Sequence, residues 1–419
     1  MISFVEPFPV DDGKKVVLQG MLRYFLDRPD TRVDYVILGG AGPRQPLEEH
    51  LTFHSLSHGT RMQLLTAAVQ SIRRRRPLQQ TILYSDGLRQ AIRQQMAALD
   101  PDIVIYDTIR VSQFVEDPHA LLPKARHILY LDDLFSVRYE AMLQAMDRYP
   151  RARVRPLGNF AKHLPSVCQP ILNVRQVCRY LLEREMRLVK ETEVAEVAKF
   201  DLSLLVNRRE VNLLRERSAQ RSVGVLPIAL PTRNQRAASR AYQGRPEFVF
   251  VGALNVAHNQ CSIEYFIANI FEECLRSMPE MKLQIIGQAP SDDLRRLLAR
   301  YPRNIEWTAW VADLGEVFAS CAAMIVPLLF GSGVKIKTLE ALCHALPVIS
   351  TPFGAEGIVS DPEKPSGVIV EDDLKSFPRR MRELLDPHEN ASVSREAREY
   401  YAANYNAEAS DRQFRALWG

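Results

Sequence analysis

A glycine loop followed by two lysines and a glutamate is the part of the chain best suited to bind a ligand. The stretch 324–357 has the pattern of a buried strand, the loop 331–333, a helix headed by Lys335 and Lys337, and a second strand. Glycines let a backbone approach a ligand closely, and a helix N-terminus attracts anions. Two lysines there extend this preference to a diphosphate, and the carboxylate of Glu340 accepts hydrogen bonds from hydroxyls. Phosphate and hydroxyls together describe a nucleotide or a nucleotide-sugar.

This stretch resembles the donor-binding segment of the retaining glycosyltransferases of family 4, which have the two-domain GT-B fold. Residues 340–349, EALCHALPVI, match the family pattern Glu-Ala-(Leu/Met)-(Ala/Cys)-x-(Gly/Ala)-x-Pro-Val-(Ile/Val). The resemblance implies that Glu340 binds the donor ribose and that the lysine region meets the diphosphate. Many members carry a second Glu where this chain has Ser332, and another branch has Gly-x-Gly-x-(Arg/Lys)-x-Lys, as here. The donor residues implied in this loop are Gly331, Ser332, Gly333, Lys335 and Lys337.

The donor pocket is expected to continue at Gly252, which follows the strand FVFV and matches the start of the pocket in this family. Relatives often place a basic pair after this glycine, but residues 253–259 contain no Arg or Lys. Asn255 or His258 is therefore expected to reach the donor, and Asn259 equally well caps the helix that follows. Glu356, in a glycine turn after the next strand, either contacts sugar hydroxyls or belongs to an ordinary turn.

Two adjacent carboxylates, Asp132 and Asp133, end a predicted strand and precede a predicted helix. Ligands of open α/β sheets bind at the carboxyl ends of the strands, so these are the candidate catalytic residues. One of them acts as a general base toward an acceptor hydroxyl or stabilises positive charge on the sugar. The alternative is that one of them caps the helix, and both roles can coexist.

A loop after the first strand is the candidate for binding the acceptor or a phosphate. Gly13 would let N–H groups face the ligand, and Lys14 would assist, unless the loop is an ordinary turn with solvated lysines. A metal site is not expected: His50, His54 and His58 are spaced by four, but LTFHSLSHGT favours a strand and loop over a helix. The resemblance also implies that no metal or other cofactor takes part.

Short apolar runs alternate with helical patterns, which predicts two doubly wound parallel sheets, the Rossmann-like domains of a GT-B protein facing a cleft. We expect an acceptor domain at 1–235, a donor domain at 245–395, and a C-terminal helix at 396–419 that crosses back; the polar stretch 229–246 is the expected linker. The predicted strands are 2–6, 33–38, 81–84, 102–106, 125–131, 201–206 and 222–227, then 247–251, 282–286, 304–309, 324–328 and 347–350.

Charge is divided unevenly along the chain. Residues 1–240 contain 36 Lys and Arg against 26 Asp and Glu, a net charge of +10, and the remainder carries −6. The basic half suggests an anionic membrane surface, a lipid-linked phosphate or nucleic acid as a partner, and scattered solvated arginines are the equally open alternative. Of these partners we expect the membrane surface or the lipid-linked phosphate, and no nucleic acid. The six cysteines have no CxxC spacing, and no apolar run could span a bilayer, so a cytoplasmic protein at the inner face of the membrane is expected.

These features predict a glycosyltransferase that moves a sugar from a nucleotide-sugar donor to a sugar or lipid-linked acceptor. By resemblance, the reaction retains anomeric configuration and serves bacterial surface polysaccharide or glycolipid synthesis. Two alternatives stay open: a nucleotide-sugar epimerase of the same fold, and a GT-B binding protein that has lost activity. The base, sugar, acceptor and linkage do not follow from the sequence.

Overall fold

The computed structural model describes residues 1–10, 12–40, 49–57, 71, 75–150, 174–230, 242–359 and 361–418. The described residues fall into two compact units. The first comprises those of Met1–Glu140, Phe160–Ile228 and Gln413–Gly419, and the second those of Ala141–Asn159 and Ala229–Arg412. The expected linker at 229–246 lies largely outside the described residues.

The first unit contains a seven-stranded parallel sheet of order β3-β2-β1-β4-β5-β6-β7. Its strands are nearly continuous apolar runs, as expected for a sheet covered by helices on both faces. Their bounds are β1 Ile2–Ser3, β2 Val33–Leu38, β3 Leu51–Leu56, β4 Ile103–Asp107, β5 Arg126–Asp132, β6 Leu202–Leu205 and β7 Val223–Val225.

The helices described among residues 1–230 connect these strands. They are α1 Gly13–Leu26, α2 Leu78–Thr81, α3 Asp86–Leu99, α4 Ile109–Ser112, α5 Pro118–Leu121, α6 Phe135–Arg148, α7 Arg175–Val197 and α8 Arg208–Ser218.

The second unit contains a six-stranded parallel sheet of order β10-β9-β8-β11-β12-β13. Its strands are β8 Glu247–Val251, β9 Lys282–Ile286, β10 Ile305–Thr308, β11 Ala323–Val326, β12 Val348–Ser350 and β13 Val368–Val370. The helices described among residues 242–418 are α9 Ala257–Asn269, α10 Phe271–Ser277, α11 Asp292–Leu298, α12 Leu314–Ser320, α13 Ile336–Cys343, α14 Pro352–Ala355, α15 Phe377–Glu383, α16 Pro387–Asn404 and α17 Ala407–Trp418, with a 3₁₀ turn at Leu374–Ser376. The two sheets confirm the predicted doubly wound architecture.

Most predicted strands are present, but the run 81–84 is not one of them. Leu78–Thr81 forms the helix α2, in which the Thr81 hydroxyl donates to the carbonyl of Leu78 at 3.1 Å. Only Thr81 of the predicted run is helical, and the chain turns at residues 82–83, where the N–H of Leu83 donates to the carbonyl of Gln80 at 3.1 Å. The Gln80 amide fixes this helix by donating to the carbonyl of Ile109 at 2.8 Å, so tertiary contacts override the β-branched residues of the run. The three-residue edge strand β13 was too short for its pattern to stand out.

Both sheets contain a point where the strand order reverses. In the first sheet β1 lies between β2 and β4, and in the second β8 lies between β9 and β11. Helices leave such a point on opposite faces of the sheet, which opens a crevice beyond the carboxyl ends of the two central strands. We call these places the β1/β4 switch point and the β8/β11 switch point.

The helix α17 packs on α1 in the first unit through aromatic side chains. Phe414 stacks on Tyr24 with ring centroids 5.1 Å apart, and Trp418 meets Phe25 edge-on at 5.1 Å. Elsewhere, the cysteines that the structure describes are all free thiols. Within the described ranges, no helix combines the length and apolar character needed to cross a bilayer.

Candidate functional site

The β1/β4 switch point is occupied by a lysine held between two aspartates. Lys14, near the start of α1, places its Nζ 2.7 Å from Asp107 Oδ1 and 3.6 Å from Asp132 Oδ2. The Ser3 hydroxyl donates to the other oxygen of Asp107, and Tyr130 donates to Asp132 Oδ1 at 2.8 Å. The carboxyl ends of β1, β4 and β5 thus share one charged network.

Burial and neighbouring charges act in opposite directions on this network. Burial lowers the pKa of Lys14, but Asp107 and Asp132 outweigh it, so the shift is upward and the lysine is cationic. Burial raises the pKa of Asp132, Lys14 opposes that rise and Asp133 adds to it. Asp132 is therefore a carboxylate whose proton affinity depends on Lys14, which is the property expected of a general base.

Backbone N–H groups at the start of α6 donate hydrogen bonds to glutamates on other helices. The N–H of Leu134 donates to Glu210 at 2.9 Å, and the N–H of Ser136 donates to Glu193 at 3.2 Å. Asp133 is buried and instead accepts from Arg138, at 3.1 Å from Nε. Glu210 and Glu193 therefore cap these two N–H groups, a role that the sequence suggested for one of the aspartates.

Asp107 and Ser3 were missed from the sequence, although Asp107 carried a usable signal. It ends the strand DIVIYD just as Asp132 ends HILYLD, and both strands place a carboxylate at the same edge of the sheet. Gly13, by contrast, is the first residue of α1, whose N-cap is Asp12: its side chain accepts from the N–H of Lys15 at 2.9 Å. A carboxylate already occupies that helix start.

The β8/β11 switch point holds the two lysines identified from the sequence, and both are buried. Lys337 Nζ donates to Asn259 Oδ1 at 2.5 Å and lies 4.6 Å from the ring centroid of Phe250. The Asn259 amide in turn donates to the carbonyl of Ala253 at 3.0 Å. Asn259 thus links the loop after β8 to the helix after β11.

A close approach explains why residue 252 is glycine. A Cβ placed on Gly252 would lie 2.9 Å from the Asn259 side chain, which a real side chain could not tolerate. Lys335 folds back over the neighbouring loop, where its Nζ donates to the carbonyls of Ser332 at 2.5 Å and Gly333 at 3.0 Å. Gly333 has a φ of 67°, a conformation that glycine adopts at little cost.

The helix α13 begins immediately after this loop. Its N-cap is Lys335, and no side-chain hydrogen bond caps its first turn. An uncapped helix N-terminus flanked by two lysines is well suited to a phosphate group, because the N–H groups and the helix dipole both favour negative charge.

Two ionisable groups of α13 have pKa values close to 7 because they are buried. Burial and the nearby Lys335 lower the pKa of Lys337 to about 7. Burial raises the pKa of Glu340 to about 7. A bound diphosphate would favour the charged form of Lys337, and ribose hydroxyls would favour the ionised form of Glu340. Both residues can therefore change protonation when a nucleotide binds.

The other residues predicted to bind the donor differ in exposure and in the element that carries them. Asn255 is exposed, whereas His258 lies in the first turn of α9 and is half-buried. Glu356 ends α14 and is half-buried. Of the predicted histidines, His54 lies in β3 with Nε2 2.7 Å from Asp34 Oδ1. Across the part of the chain that is described, no group of three His, Cys, Asp or Glu residues is placed to hold a metal.

Comparison with known proteins finds a family model that matches part of the second unit. Residues 245–387 match the family model described as Glycosyl transferases group 1. A curated protein of Klebsiella pneumoniae, the uncharacterized 44.6 kDa protein in the cps region, is 30% identical over 115 residues. That match covers 26% of this chain and 30% of the relative's length.

Solved structures show the same fold over nearly the whole chain. Sucrose-phosphate synthase of Thermosynechococcus elongatus is similar with a TM-score of 0.65 at 15% identity, over 100% of this chain and 97% of that one. HepE of Anabaena, in complex with UDP and glucose, gives 0.64 at 10% identity, over 99% and 97%. The trehalose-6-phosphate synthase OtsA gives 0.59 at 13% identity, over 99% and 98%. The chain therefore has the GT-B fold.

Proposed function

We propose that this protein is a glycosyltransferase that moves a sugar from a nucleotide-sugar to a hydroxyl of a sugar or lipid-linked acceptor, with retention of configuration. The observation that carries the proposal is the pair of buried lysines at the uncapped start of α13, within the segment that matches the group 1 model. The resemblance to HepE, solved with UDP and glucose, supports a nucleotide-sugar donor.

On the donor side, the leaving group is a nucleoside diphosphate, and negative charge builds on its phosphate oxygens as the sugar departs. Lys335, Lys337 and the N–H groups of α13 are already in place to stabilise that charge. They supply the positive charge that a divalent cation supplies in other enzymes, so we expect activity in the presence of a chelator. Glu340 accepts from the ribose hydroxyls once it is ionised.

On the acceptor side, the first unit contributes Asp132. Its carboxylate takes the proton of the attacking hydroxyl or stabilises positive charge on the sugar ring. Lys14, whose Nζ lies 3.6 Å away, favours the ionised form of Asp132 and opposes the rise in its pKa that burial causes. We therefore assign Lys14 to positioning and charge control of Asp132, in place of the phosphate contact that its sequence context suggested.

The setting we propose is polysaccharide or glycolipid synthesis at an anionic membrane, supported by the cps-region relative and by the net charge of +10 over residues 1–240. Arg75 and Arg76 are exposed. Arg73, Arg74 and the basic cluster Arg151, Arg153, Arg155 and Lys162 lie outside the described residues.

Each basic residue near an anionic surface contributes about 1 kcal/mol, and salt weakens the effect. Vesicles with anionic lipid should sediment the protein at low salt, and neutral vesicles should not.

The test of the main proposal begins with the donor. Specific ligands raise the melting temperature by mass action, so a panel of nucleotide-sugars should contain one that stabilises the purified protein. That donor is then incubated with candidate acceptors, and the products are separated and identified. A glycosylated acceptor supports the proposal. An isomerised nucleotide-sugar would identify an epimerase, and binding with neither transfer nor donor hydrolysis would identify a non-catalytic binding protein.

A further inference from the structure

Two arginines flank one aromatic ring near the carboxylates of the first unit, and a buried glutamine contacts one of them. The guanidinium carbons of Arg110 and Arg138 lie 4.6 and 4.7 Å from the ring centroid of Phe135. Arg110 donates from Nε and Nη2 to Gln79 Oε1, at 3.1 and 3.0 Å. Arg110 follows β4 and Arg138 follows β5, so this cluster lies at the ligand-binding edge of the sheet.

The orientation of the Gln79 amide leaves its buried Nε2 group in need of a hydrogen-bond acceptor. A guanidinium can only donate hydrogen bonds, so the amide oxygen must face Arg110 and the Nε2 group must point elsewhere. Gln79 is only 3% exposed, and in the described part of the chain its Nε2 has no hydrogen-bond partner. A buried donor without a partner has lost its hydrogen bonds to water and gained none in return, which is unfavourable. An incoming oxygen atom would remove that cost.

The two arginines also repel each other. Burial lowers the pKa of Arg110, and the charge of Arg138 lowers it further, although Tyr139, Asp107 and Asp133 act in the opposite direction. Asp133 fixes Arg138 by accepting from its Nε and Nη2. The backbone next to Arg110 is strained. Thr108, which caps the helix carrying Arg110, has a φ of 70°, a conformation that is unfavourable for a β-branched residue.

We propose that Gln79, Arg110 and Arg138 bind an oxyanion, a carboxylate or a phosphate, carried by the acceptor. The proposal rests on the proposed function, because it names the class of acceptor that Asp132 would act on. An oxyanion only accepts hydrogen bonds, so it matches a cluster of donors, and a hydrogen bond between a guanidinium and an oxyanion is strengthened by their opposite charges. It would also separate the two like charges that share the Phe135 ring.

Access and charge favour the acceptor as the source of the oxyanion. The Arg138 side chain is 36% exposed and the Asp132 side chain 21%, so the cluster and the carboxylate are both reachable from solvent. The donor diphosphate has its own lysines on the second unit. An acidic acceptor also agrees with the excess positive charge of residues 1–240.

The experiment compares three sugars that differ only at C6: D-glucose, D-glucuronate and D-glucose 6-phosphate. Calorimetric titration of the full-length protein should show that one of the acids binds at least tenfold more tightly than glucose. Arg110→Gln should remove that advantage, and Arg110→Lys, which keeps the charge but not the fork, should remove part of it. Arg23→Gln, at a 59% exposed arginine of α1, is the matched control and should change nothing.

Which acid binds distinguishes an acidic sugar from a phosphorylated acceptor. Equal binding of all three sugars to the wild-type protein, or an acid advantage that survives in folded Arg110→Gln, would overturn the proposal. The proposal would also be overturned if D-glucose 6-phosphate bound more tightly than glucose to Arg110→Gln but not to Lys337→Met, because the phosphate would then be binding at the donor site. Binding needs no turnover, so acid binding at Arg110 without any sugar transfer would refute the proposed function and leave the oxyanion site standing.

Discussion

At the β1/β4 switch point Lys14 lies between Asp107 and Asp132, whereas at the β8/β11 switch point Lys335 and Lys337 donate to backbone carbonyls and to an amide oxygen. The neighbouring helix starts differ in the same way. The carboxylate of Asp12 caps α1, while α13 has no side-chain cap. Both sheets have a switch point with a lysine beside it. In the first unit carboxylates surround that lysine, whereas in the second unit the two lysines have no carboxylate among these contacts and their positive charge can act on a ligand. The first arrangement suits removal of a proton from an acceptor hydroxyl, and the second suits binding of a diphosphate.

The largest expected effect concerns turnover at the β1/β4 switch point. Asp132→Asn should lower kcat by about 10²–10⁴, roughly 3–5 kcal/mol of barrier, because the proton acceptor is lost. Affinity for the nucleoside diphosphate should stay unchanged, since that ligand is assigned to the other unit. Steady-state rates and equilibrium titrations separate the two quantities. Asp27→Asn, at a 65% exposed carboxylate, is the control. If the variant turns over at the wild-type rate, Asp132 has no part in the chemistry.

The next effect concerns binding at the β8/β11 switch point. Replacing Lys335 and Lys337 together by methionine, which preserves much of their volume, should weaken nucleoside diphosphate binding by about 4 kcal/mol, at roughly 2 kcal/mol for each charge-assisted bond. Binding of the bare nucleoside should change little, and Lys14→Met should leave both affinities as they are. Equal losses for nucleoside and nucleoside diphosphate would mean that the lysines shape the loop and do not contact phosphate.

A smaller effect should follow from Glu340→Gln. Loss of the ionised carboxylate should weaken donor binding by about 1.5–3 kcal/mol, and the nucleoside alone should lose as much as the nucleoside diphosphate. The difference should be measured at pH 8, above the pKa of about 7, where Glu340 is ionised. A folded variant that binds the donor as tightly as the wild type would remove Glu340 from the site.

The smallest effect is a pH dependence of pyrophosphate binding, which we assign to Lys337 of the second unit. Lys337 has its pKa lowered to about 7, so it is charged below pH 7 and loses its proton as the pH rises. Between pH 6 and pH 8.5, pyrophosphate affinity of the wild-type protein should fall roughly tenfold relative to Lys337→Arg, which stays charged throughout. The titration of pyrophosphate itself is common to both proteins and cancels. Parallel pH profiles would show that the lysine is already charged in the free protein.

Many helices and strands and the glycine loop could be predicted because the residue pattern that specifies each one lies within a short stretch of the chain. Strand periodicity located β2, β8 and β9, and the spacing of glycine, lysine and glutamate located the start of α13. Lys14 and Asp132 were recognised separately, but their pairing was not, because 118 positions separate them and only the sheet order brings them together. Local patterns contain no information on such distant contacts.

The buried glutamates could not be recognised for a related reason. Glu193 and Glu210 lie on helices, where a glutamate is most often solvated. Here they accept from the N–H groups of Ser136 and Leu134, which are 57 and 76 positions away. Burial raises the pKa of Glu193 to about 7, so it is partly protonated at neutral pH. The sequence shows which helices exist, and the tertiary packing decides which of their charges are removed from water.

The contact of Phe414 and Trp418 with Tyr24 and Phe25 has a consequence for how the protein is made. Helix α1 emerges early during translation, yet the aromatic side chains that cover it are synthesised only after the whole of the second unit. On the ribosome the second unit can complete its packing first, while α1 keeps an apolar surface open. Nascent chains stalled before residue 407 should therefore bind a chaperone that recognises apolar surface, and release from it should follow synthesis of α17.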